Sequence, residues 1–333
     1  MKVLVTGGAG YIGSHAVRYL RAAGHAIAVV DNLGQGHREA VPRDVPFFEA
    51  DLRQTEKIRE ILAAERIECV MHFAALACVG ESVADPMRYY SNNVTGTLSL
   101  LGAMRGAGVR RMVFSSTCAV IGIARELPIV EASPRAPINP YGWSKLLIEQ
   151  VLQDLSVADP EFGSVVLRYF NVAGCAADGS LGEDHNPETH LIPLLLQVAL
   201  SRRPHITLFG NDYPTQDGTC IRDYVHVDDL CDAHLRALSA LQPGVSSVYN
   251  VGIGRGYSVQ EVLEAARRVT GHPIAAQFGP RRPGDPPVLF ASAKRIASEL
   301  SWSPSFTQIE PIIESAWRWF SQHPSGYADS SPA

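Results

Sequence analysis

The sequence has little charge and no long apolar run, and both absences restrict what the protein can be. No stretch approaches the roughly 18 consecutive apolar residues that a membrane-spanning helix requires. Charged residues make up 19% of the 333 residues, and the formal net charge is -5, without clusters of Lys and Arg. Nucleic acids and anionic membranes both bind through such clusters, so neither is expected as a partner.

Recognisable cysteine and metal patterns are also absent. The six cysteines include no C-x-x-C pair, and no His stands at a spacing typical of metal ligands. We therefore predict reduced, mostly buried thiols and no metal. Residues 1–6 turn into glycines too soon for the apolar region of a signal peptide, which favours a cytoplasmic protein.

The pattern that is present is an alternation of strands and helices. With 46% hydrophobic residues, a chain of 333 residues can bury two lobes or one enlarged domain. Val- and Ile-rich runs alternate with segments of helical periodicity, which predicts a doubly wound parallel sheet of the Rossmann type, an α/β fold, over residues 1–170. The predicted strands are 3–6, 27–31, 69–74, 111–115 and 165–169, and the predicted helices are 12–23, 57–64, 94–106 and 144–155.

After about residue 170 the composition changes. Pro, Gly, Asn and Asp cluster between shorter elements, which predicts a smaller substrate-binding lobe over residues 171–327. Residues 224–251 are expected to return to the first domain, and residues 328–333 to form a flexible tail.

A glycine-rich turn follows the first strand and opens the first helix. It contains Gly7, Gly10 and Gly13 in the spacing G-x-x-G-x-x-G. Such a turn lets the backbone and the helix N-terminus approach a pyrophosphate. Asp31 ends the next strand, 18 residues after Gly13, where its carboxylate can bind the adenosine ribose and repel a 2′-phosphate. The pattern favours NAD over NADP. Arg38 is the residue that argues for NADP instead.

Tyr141 and Lys145 stand at i and i+4, on one face of a predicted helix. A nearby ammonium favours the phenolate, so we expect Lys145 to lower the pKa of Tyr141 from its usual value of about 10. Such a phenolate can act as a general base on a sugar hydroxyl. Thr117 follows a strand 24 residues earlier, where its hydroxyl can bind the reacting oxygen. Without Thr117, the same spacing is also typical of a surface pair.

These motifs resemble the extended short-chain dehydrogenase/reductase superfamily and, within it, the UDP-glucose 4-epimerases of galactose metabolism. The resemblance covers essentially the whole chain. It is carried further by Glu81-Ser82 and by the runs YYSNNV (89–94), RYFNVAG (168–174), GEDH (182–185), FGNDY (209–213), RDYVHV (222–227) and RRPGD (281–285).

The resemblance implies a reversible 4-epimerisation of UDP-galactose and UDP-glucose with tightly bound NAD. Tyr141 would take the proton of the sugar 4-OH, giving a transient 4-keto sugar that turns over in the pocket. It also implies a homodimer paired through the helices at 94–106 and 144–155.

Site residues are carried over from the family onto matching positions. The cofactor set comprises the three glycines together with Tyr11, Ile12, Asp31, Asn32, Asp51, Leu52, Phe73, Ala74, Asn92, Lys145 and Phe170. The UDP-sugar set comprises Thr117, Tyr141, Asn171, His190, Phe209, Arg222, Arg282, Asp285 and Leu289. The sequence leaves an alternative open for several of these residues. The two arginines are also typical of surface ion pairs, and Asp285 of a turn cap. His190 is also compatible with a structural role, and Asp51 with the plain end of a strand.

The chain departs from the family pattern at several positions. Thr117 replaces a common serine, Ala77 replaces a lysine of some members, and Ile121 replaces an aromatic residue. Cofactor binding is therefore expected to differ from that of those members. Leu289 stands where the family varies the bulk beside the sugar C2 substituent. UDP-N-acetylhexosamines and UDP-pentoses therefore stay open as substrates.

Two further classes of function stay open. An NAD-dependent nucleotide-sugar dehydrogenase would share the first-domain motifs, and a non-catalytic dinucleotide sensor would share the fold. A 4,6-dehydratase would need Asp-Glu directly after Thr117, where this chain has Cys118-Ala119.

Overall fold

The structure, a computed structural model, describes residues 1–282 and 285–330. Pro283 and Gly284 of the RRPGD run, and residues 331–333 of the predicted tail, lie outside the described residues.

The strands of the described residues are β1 Lys2–Thr6, β2 Ala26–Asp31, β3 Phe47–Glu49, β4 Cys69–His72, β5 Arg111–Ser115, β6 Gly163–Arg168, β7 Asn171–Ala173, β8 Ile206–Phe209, β9 Ile221–Arg222, β10 Tyr224–His226, β11 Ser246–Asn250, β12 Tyr257–Ser258, β13 Ala276–Gly279 and β14 Val288–Leu289. Within the described residues, the main sheet has seven strands, all paired in parallel, in the order β11-β6-β5-β4-β1-β2-β3. The strand order reverses between β1 and β4, and ligands of open α/β sheets bind at such a switch point.

Helices cover both faces of this sheet. Val3 and Val5 of β1 pack into the hydrophobic cluster under one face, and Leu4 packs into the cluster under the other. A strand buried on both faces is the signature of a doubly wound sheet, so the predicted fold class is confirmed. The helices are α1 Tyr11–Ala22, α2 Thr55–Ala64, α3 Val79–Ala84, α4 Pro86–Tyr89, α5 Gly96–Ala107, α6 Pro140–Ala158, α7 Leu191–Ala199, α8 Val227–Ser239, α9 Val259–Thr270, α10 Lys294–Leu300 and α11 Ile309–Gln322.

The remaining strands form three small sheets, β10-β7, β12-β9-β14 and β13-β8. A third hydrophobic cluster, to which α7, α9 and α11 contribute, lies among the C-terminal elements. β11 lies at the edge of the main sheet beside β6. The boundary near residue 170 stays a prediction. In the part of the chain that the structure describes, no helix is long and apolar enough to cross a membrane.

All six cysteines are free, and five of them are buried. The prediction that the thiols are mostly buried is confirmed, and their reduced state stays a prediction.

Candidate active site

One cavity of about 1190 Å³ opens at the carboxyl ends of the main-sheet strands. Residues from both halves of the chain line it. Every residue predicted for the cofactor or the UDP-sugar borders this cavity, namely Gly7, Gly10, Tyr11, Ile12, Gly13, Asp31, Asn32, Asp51, Leu52, Phe73, Ala74, Asn92, Thr117, Tyr141, Lys145, Phe170, Asn171, His190, Phe209, Arg222, Arg282, Asp285 and Leu289.

The glycine turn at one end of the cavity has no room for side chains. Gly7 has a φ of +72°, and a Cβ there would lie 2.6 Å from the backbone nitrogen of Ala74. A Cβ on Gly13 would lie 2.0 Å from the carbonyl oxygen of Gly7. Gly10 caps the N-terminus of α1 and has no side chain to cover it. The backbone can therefore approach a bound phosphate closely at the positive end of the helix.

Asp31 ends β2 beside this turn. Its carboxylate accepts hydrogen bonds from the backbone N–H of Ala9 (3.0 Å) and of Leu33 (2.8 Å). Burial raises the pKa of Asp31, and these hydrogen bonds oppose the rise. Arg38, the argument for NADP, instead donates to the carbonyl of Val41 (2.7 Å) and lies over the Phe47 ring, and it does not border the cavity.

Asp51 borders the cavity farther along the same wall. The guanidinium of Arg53 donates to its carboxylate at 2.8 Å and 2.6 Å. This hydrogen bonding lowers the pKa of Asp51 to about 2. Asp51 is therefore an anion at neutral pH.

Helix α6 places the Tyr–Lys pair at its first turns. The Asn139 side chain accepts a hydrogen bond from the Gly142 N–H (2.8 Å), and Pro140 follows it, both of which favour a helix start at this point. The Lys145 ammonium donates to the Ser115 carbonyl at 2.9 Å, at the end of β5. Thr117 hydrogen-bonds the Tyr141 hydroxyl. The predicted trio is thus assembled at one point of the cavity wall.

The expected lowering of the Tyr141 pKa by Lys145 is wrong for this structure. Burial raises the pKa of Tyr141 to about 12, and the hydrogen bond from Thr117 only opposes the rise. Burial lowers the pKa of Lys145 to about 7, while the charge of Glu149 opposes the fall. Both shifts have the same cause, because an apolar surrounding disfavours the charged form of either group.

Glu149, which sequence reasoning missed, lies one helical turn beyond Lys145. Its carboxylate accepts from Ser116 Oγ at 2.6 Å and from Arg168 Nε at 2.9 Å, and the Glu149–Arg168 pair is almost fully buried. It therefore connects α6 to the ends of β5 and β6. The available signal was a carboxylate four residues after Lys145, on the same face of α6.

The far end of the cavity carries the predicted arginines. Arg222 pairs with Asp285, and the Arg282 guanidinium lies 4.2 Å from the centre of the Phe209 ring. The backbone N–H of Asp285 also bonds to the carbonyl of Arg282 at 3.2 Å. β14, which ends at Leu289, pairs in parallel with β9, so Leu289 lies beside Arg222.

His190 belongs to a cluster that the sequence did not predict. Its Nδ1 lies 2.9 Å from carboxylate oxygens of both Glu183 and Glu188. His185 approaches the same two carboxylates.

The departures from the family pattern lie at different places. Ala77 borders the cavity, whereas Ile121 is buried and packs with Cys118 and Ile129 away from it. Thr117 keeps its hydroxyl at the site and also accepts from the Ala119 N–H at 3.1 Å.

The fold and the cavity define a class of protein: an α/β protein with a glycine-rich dinucleotide turn and a Tyr–Lys pair at the carboxyl edge of its sheet. Residues 3–252 match the model of the NAD dependent epimerase/dehydratase family. The chain belongs to this family.

Known relatives narrow the class. The chain is 48% identical over 332 residues to the UDP-glucose 4-epimerase of Lacticaseibacillus casei, with 99% of each chain covered. It is 49% identical to that of Lactobacillus helveticus, with 99% of this chain and 100% of the relative covered. UDP-glucose 4-epimerase from Bifidobacterium longum in complex with NAD+ and UDP has a similar structure, with a TM-score of 0.94 and 39% identity over 98% of this chain and 100% of that chain. The predicted resemblance is confirmed.

Proposed function

We propose that this protein is an NAD-dependent epimerase that interconverts UDP-galactose and UDP-glucose at C4 of the sugar. The observation that carries the proposal is the cavity itself, in which the dinucleotide turn, the Thr117–Tyr141–Lys145 trio and the two arginines face one another. The relatives named above, at nearly half of all positions identical, support the same reaction.

The residues present fit NAD. The uncovered N-terminus of α1 at Gly10, where an added Cβ would meet only the Gly7 carbonyl oxygen at 3.4 Å, suits the pyrophosphate, and Asp31 suits the adenosine ribose. Lys145 is placed to hold the nicotinamide ribose. Bound there, NAD would supply the reversible hydride acceptor that epimerisation at C4 requires.

Tyr141 is the base in this proposal. Burial favours the neutral form of its phenol, so loss of the proton requires added positive charge at the site. We assign this role to the Lys145 ammonium, one helical turn along α6, although Lys145 does not lower the Tyr141 pKa in this structure. Glu149 supports this role because its carboxylate opposes deprotonation of Lys145. Thr117 orients the reacting oxygen through its hydroxyl. The transient 4-keto sugar needs room to rotate, which a cavity of about 1190 Å³ provides.

Arg222 and Arg282 anchor the UDP portion. Each guanidinium offers a fork of donors to phosphate oxygens, and Asp285 holds the Arg222 fork in place through their ion pair. The anchor keeps the nucleotide bound while the sugar presents either face.

The proposal is tested on the purified full-length protein without added cofactor. We expect one NAD per chain and interconversion of UDP-galactose and UDP-glucose. Turnover that requires stoichiometric NAD and accumulates NADH would instead identify a dehydrogenase. Activity ratios with UDP-N-acetylglucosamine and UDP-xylose measure the effect of Leu289 on the sugar range.

The Tyr141→Phe variant tests the base. Removing a positioned acid–base group costs about 10²- to 10⁴-fold in rate, so we expect kcat to fall by that factor while the NAD content stays unchanged. Tyr249→Phe is the matched control, because the Tyr249 hydroxyl bonds to Glu299 outside the cavity. Retained activity in Tyr141→Phe would remove Tyr141 from its role.

We also propose that two copies pair through α5 and α6. Leu98 on α5 and Trp143 and Leu147 on α6 are exposed apolar side chains. Residues 143, 147, 150, 154 and 157 form the exposed stripe along α6. A second copy of the chain would bury this surface by packing the same helices against it.

A further inference from the structure

Four side chains converge in the loop that joins β7 to α7. They are Glu183, His185, Glu188 and His190, and their nearest ligand atoms all lie within 4.8 Å of one another. Nδ1 of His190 lies 2.9 Å from Oε1 of Glu183 and 2.9 Å from Oε1 of Glu188. Nδ1 of His185 lies 3.2 Å from Oε1 of Glu183 and 3.6 Å from Oε2 of Glu188. Two nitrogens and two carboxylates thus face a common point.

The two carboxylates are removed from water. The side chains of Glu183 and Glu188 are 5% and 4% exposed. Burying a carboxylate is costly unless a positive charge compensates for it. Glu188 Oε1 accepts hydrogen bonds from the backbone N–H of Thr189 (2.6 Å) and of His190 (2.7 Å), which compensate part of its charge. The remaining charge of the pair is balanced either by the two imidazoles or by a cation at the point that both carboxylates face.

The orientation of the His185 ring also points to a bound ion at this cluster. Its Nδ1 is buried and has no hydrogen-bond partner in the part of the chain that the structure describes. At 3.2 Å from a Glu183 oxygen it is close enough for a hydrogen bond but not aligned for one. A buried nitrogen whose geometry leaves it without a hydrogen bond, while it faces two carboxylates, is placed as a ligand would be.

The separations also match a coordination geometry. Zinc binds His nitrogen and carboxylate oxygen at about 2.0–2.2 Å in a tetrahedron, which separates neighbouring ligand atoms by roughly 3.3–3.5 Å. The four His–Glu separations run from 2.9 to 3.6 Å, and all ligand atoms lie within 4.8 Å of one another, so cation binding requires some of these atoms to shift by up to about 1.5 Å. Calcium and magnesium select oxygen ligands only, usually six or more, so a set of two nitrogens and two oxygens disfavours them.

We propose that Glu183, His185, Glu188 and His190 bind one divalent cation of the zinc type in a four-ligand site. A site closed by four protein ligands has no open position for a reactant, so its role is structural. It holds loop 183–190 against the cavity wall, to which His190 contributes. In this proposal His190 is a cation ligand, the structural alternative given for it above, and not a contact of the UDP-sugar, so the site does not depend on the proposed epimerase activity.

The first test uses the full-length protein, stripped of metal with a chelator and titrated with Zn²⁺ alone. We expect one tightly bound zinc per chain. X-ray absorption should show nitrogen and oxygen scatterers at about 2.0–2.2 Å and no sulfur at about 2.3 Å, which separates this site from binding by one of the six cysteines. Sulfur scattering, or no binding, would overturn the proposal and leave a hydrogen-bonded His–Glu cluster.

The second test is His185→Gln, with His272→Gln as the matched control because His272 is exposed and distant from the cluster in sequence. We expect His185→Gln to weaken zinc binding more than tenfold, since even residues behind the ligands are worth about 10- to 100-fold in affinity. Zinc should raise the melting temperature of the wild type and of His272→Gln, but not of His185→Gln. Equal zinc affinity in all three proteins would overturn the proposal, and the X-ray absorption result stands if His185→Gln fails to fold.

Discussion

Asp223 is a buried acid next to Arg222, the arginine that we place on the substrate pyrophosphate. Its two carboxylate oxygens accept hydrogen bonds from the backbone N–H of Ile253 (3.1 Å) and of Ala291 (3.2 Å). Burial raises the pKa of Asp223 to about 7, although these hydrogen bonds oppose the rise. One side chain thus fixes two loops beside the substrate end of the cavity.

We expect Asp223→Asn to destabilise the protein by about 1–3 kcal/mol at pH 5, because the amide nitrogen cannot accept one of the two N–H bonds. Between the unfolded pKa of about 3.9 and the folded pKa of about 7, only the folded protein keeps this proton. The free energy of unfolding of the wild type therefore falls as pH rises through that window, and its difference from that of Asp223→Asn becomes smaller.

Urea unfolding of both proteins at pH 5 and pH 8 measures this gap. Glu60→Gln, on the exposed face of α2 and outside the cavity, is the control, and its free energy of unfolding relative to wild type should be the same at pH 5 and at pH 8. A gap that widens at pH 8 would contradict the assigned direction of the Asp223 pKa.

Single residues also show where sequence reasoning stopped. The positions of Tyr141, Lys145 and Thr117 followed from spacing, since strand ends and helix faces are periodic. The direction of the Tyr141 pKa did not follow, because it depends on burial by residues from several elements. The cluster at His190 was missed, although His185 and His190 stand at the H-x4-H spacing found in zinc sites, because its other two members are glutamates in an irregular loop.

At the scale of elements, the glycine turn and α1 approach each other closely through their backbones. A Cβ on Gly13 would lie 2.0 Å from a backbone oxygen, so Gly13→Ala must push the helix away from the turn. We expect Gly13→Ala to purify with less than half of the wild-type NAD content, measured by chromatography of nucleotide released on denaturation.

Gly102→Ala is the matched control. Gly102 lies within α5, and the nearest atom to its added Cβ is a methyl of Thr55 at 3.9 Å, an ordinary contact. The control should keep its NAD and gain stability slightly from the better helix former. Full NAD content in Gly13→Ala would show that the close approach is not required for binding.

The Glu149–Arg168 pair fixes α6, and with it Tyr141 and Lys145, to the main sheet. Removing one partner leaves a buried charge without compensation, so we expect Glu149→Leu to cost about 3–5 kcal/mol. The double variant Glu149→Leu/Arg168→Met removes both charges and should be more stable than Glu149→Leu alone. The measurement is the free energy of unfolding of the wild type, of Glu149→Leu, of Arg168→Met and of the double variant. If the loss in the double variant equals the sum of the losses in the two single variants, the two residues are not a coupled pair.

Element boundaries were predicted well where hydrophobic periodicity is strong. The predicted helix at 12–23 is observed as Tyr11–Ala22, and the strand at 111–115 is observed as Arg111–Ser115. The predicted helix at 94–106 is preceded by a π-helical turn, Tyr90–Thr95, that periodicity did not reveal. Its Asn93 side chain donates to the carbonyl of Leu76 at 2.9 Å, a contact with a distant loop that tertiary packing alone determines.

At the scale of the whole molecule, the cavity depends on residues far apart in sequence. Gly7 and Asp285 border the same space. The sequence indicated the two ends of the cavity separately, through the glycine turn and the arginine motifs, and only the family resemblance connected them. How many copies of the chain assemble is a further property of the whole molecule.

The α5 and α6 surface predicts this assembly. Leu98 on α5 and Trp143, Leu147 and Val157 on α6 are exposed apolar side chains, and the α6 stripe also carries Gln150 and Asp154. Exposing the apolar side chains to water is costly, and pairing with the same surface of a second copy removes this cost. We expect light scattering to give twice the 36.1 kDa of one chain. Leu98→Lys/Leu147→Lys places charges at the centre of the contact and should give monomers, whereas Phe278→Lys, an exposed aromatic residue on β13, should leave the mass unchanged. A wild type that measures 36.1 kDa at micromolar concentration would contradict the pairing, and a double variant that stays paired would place the interface on another surface.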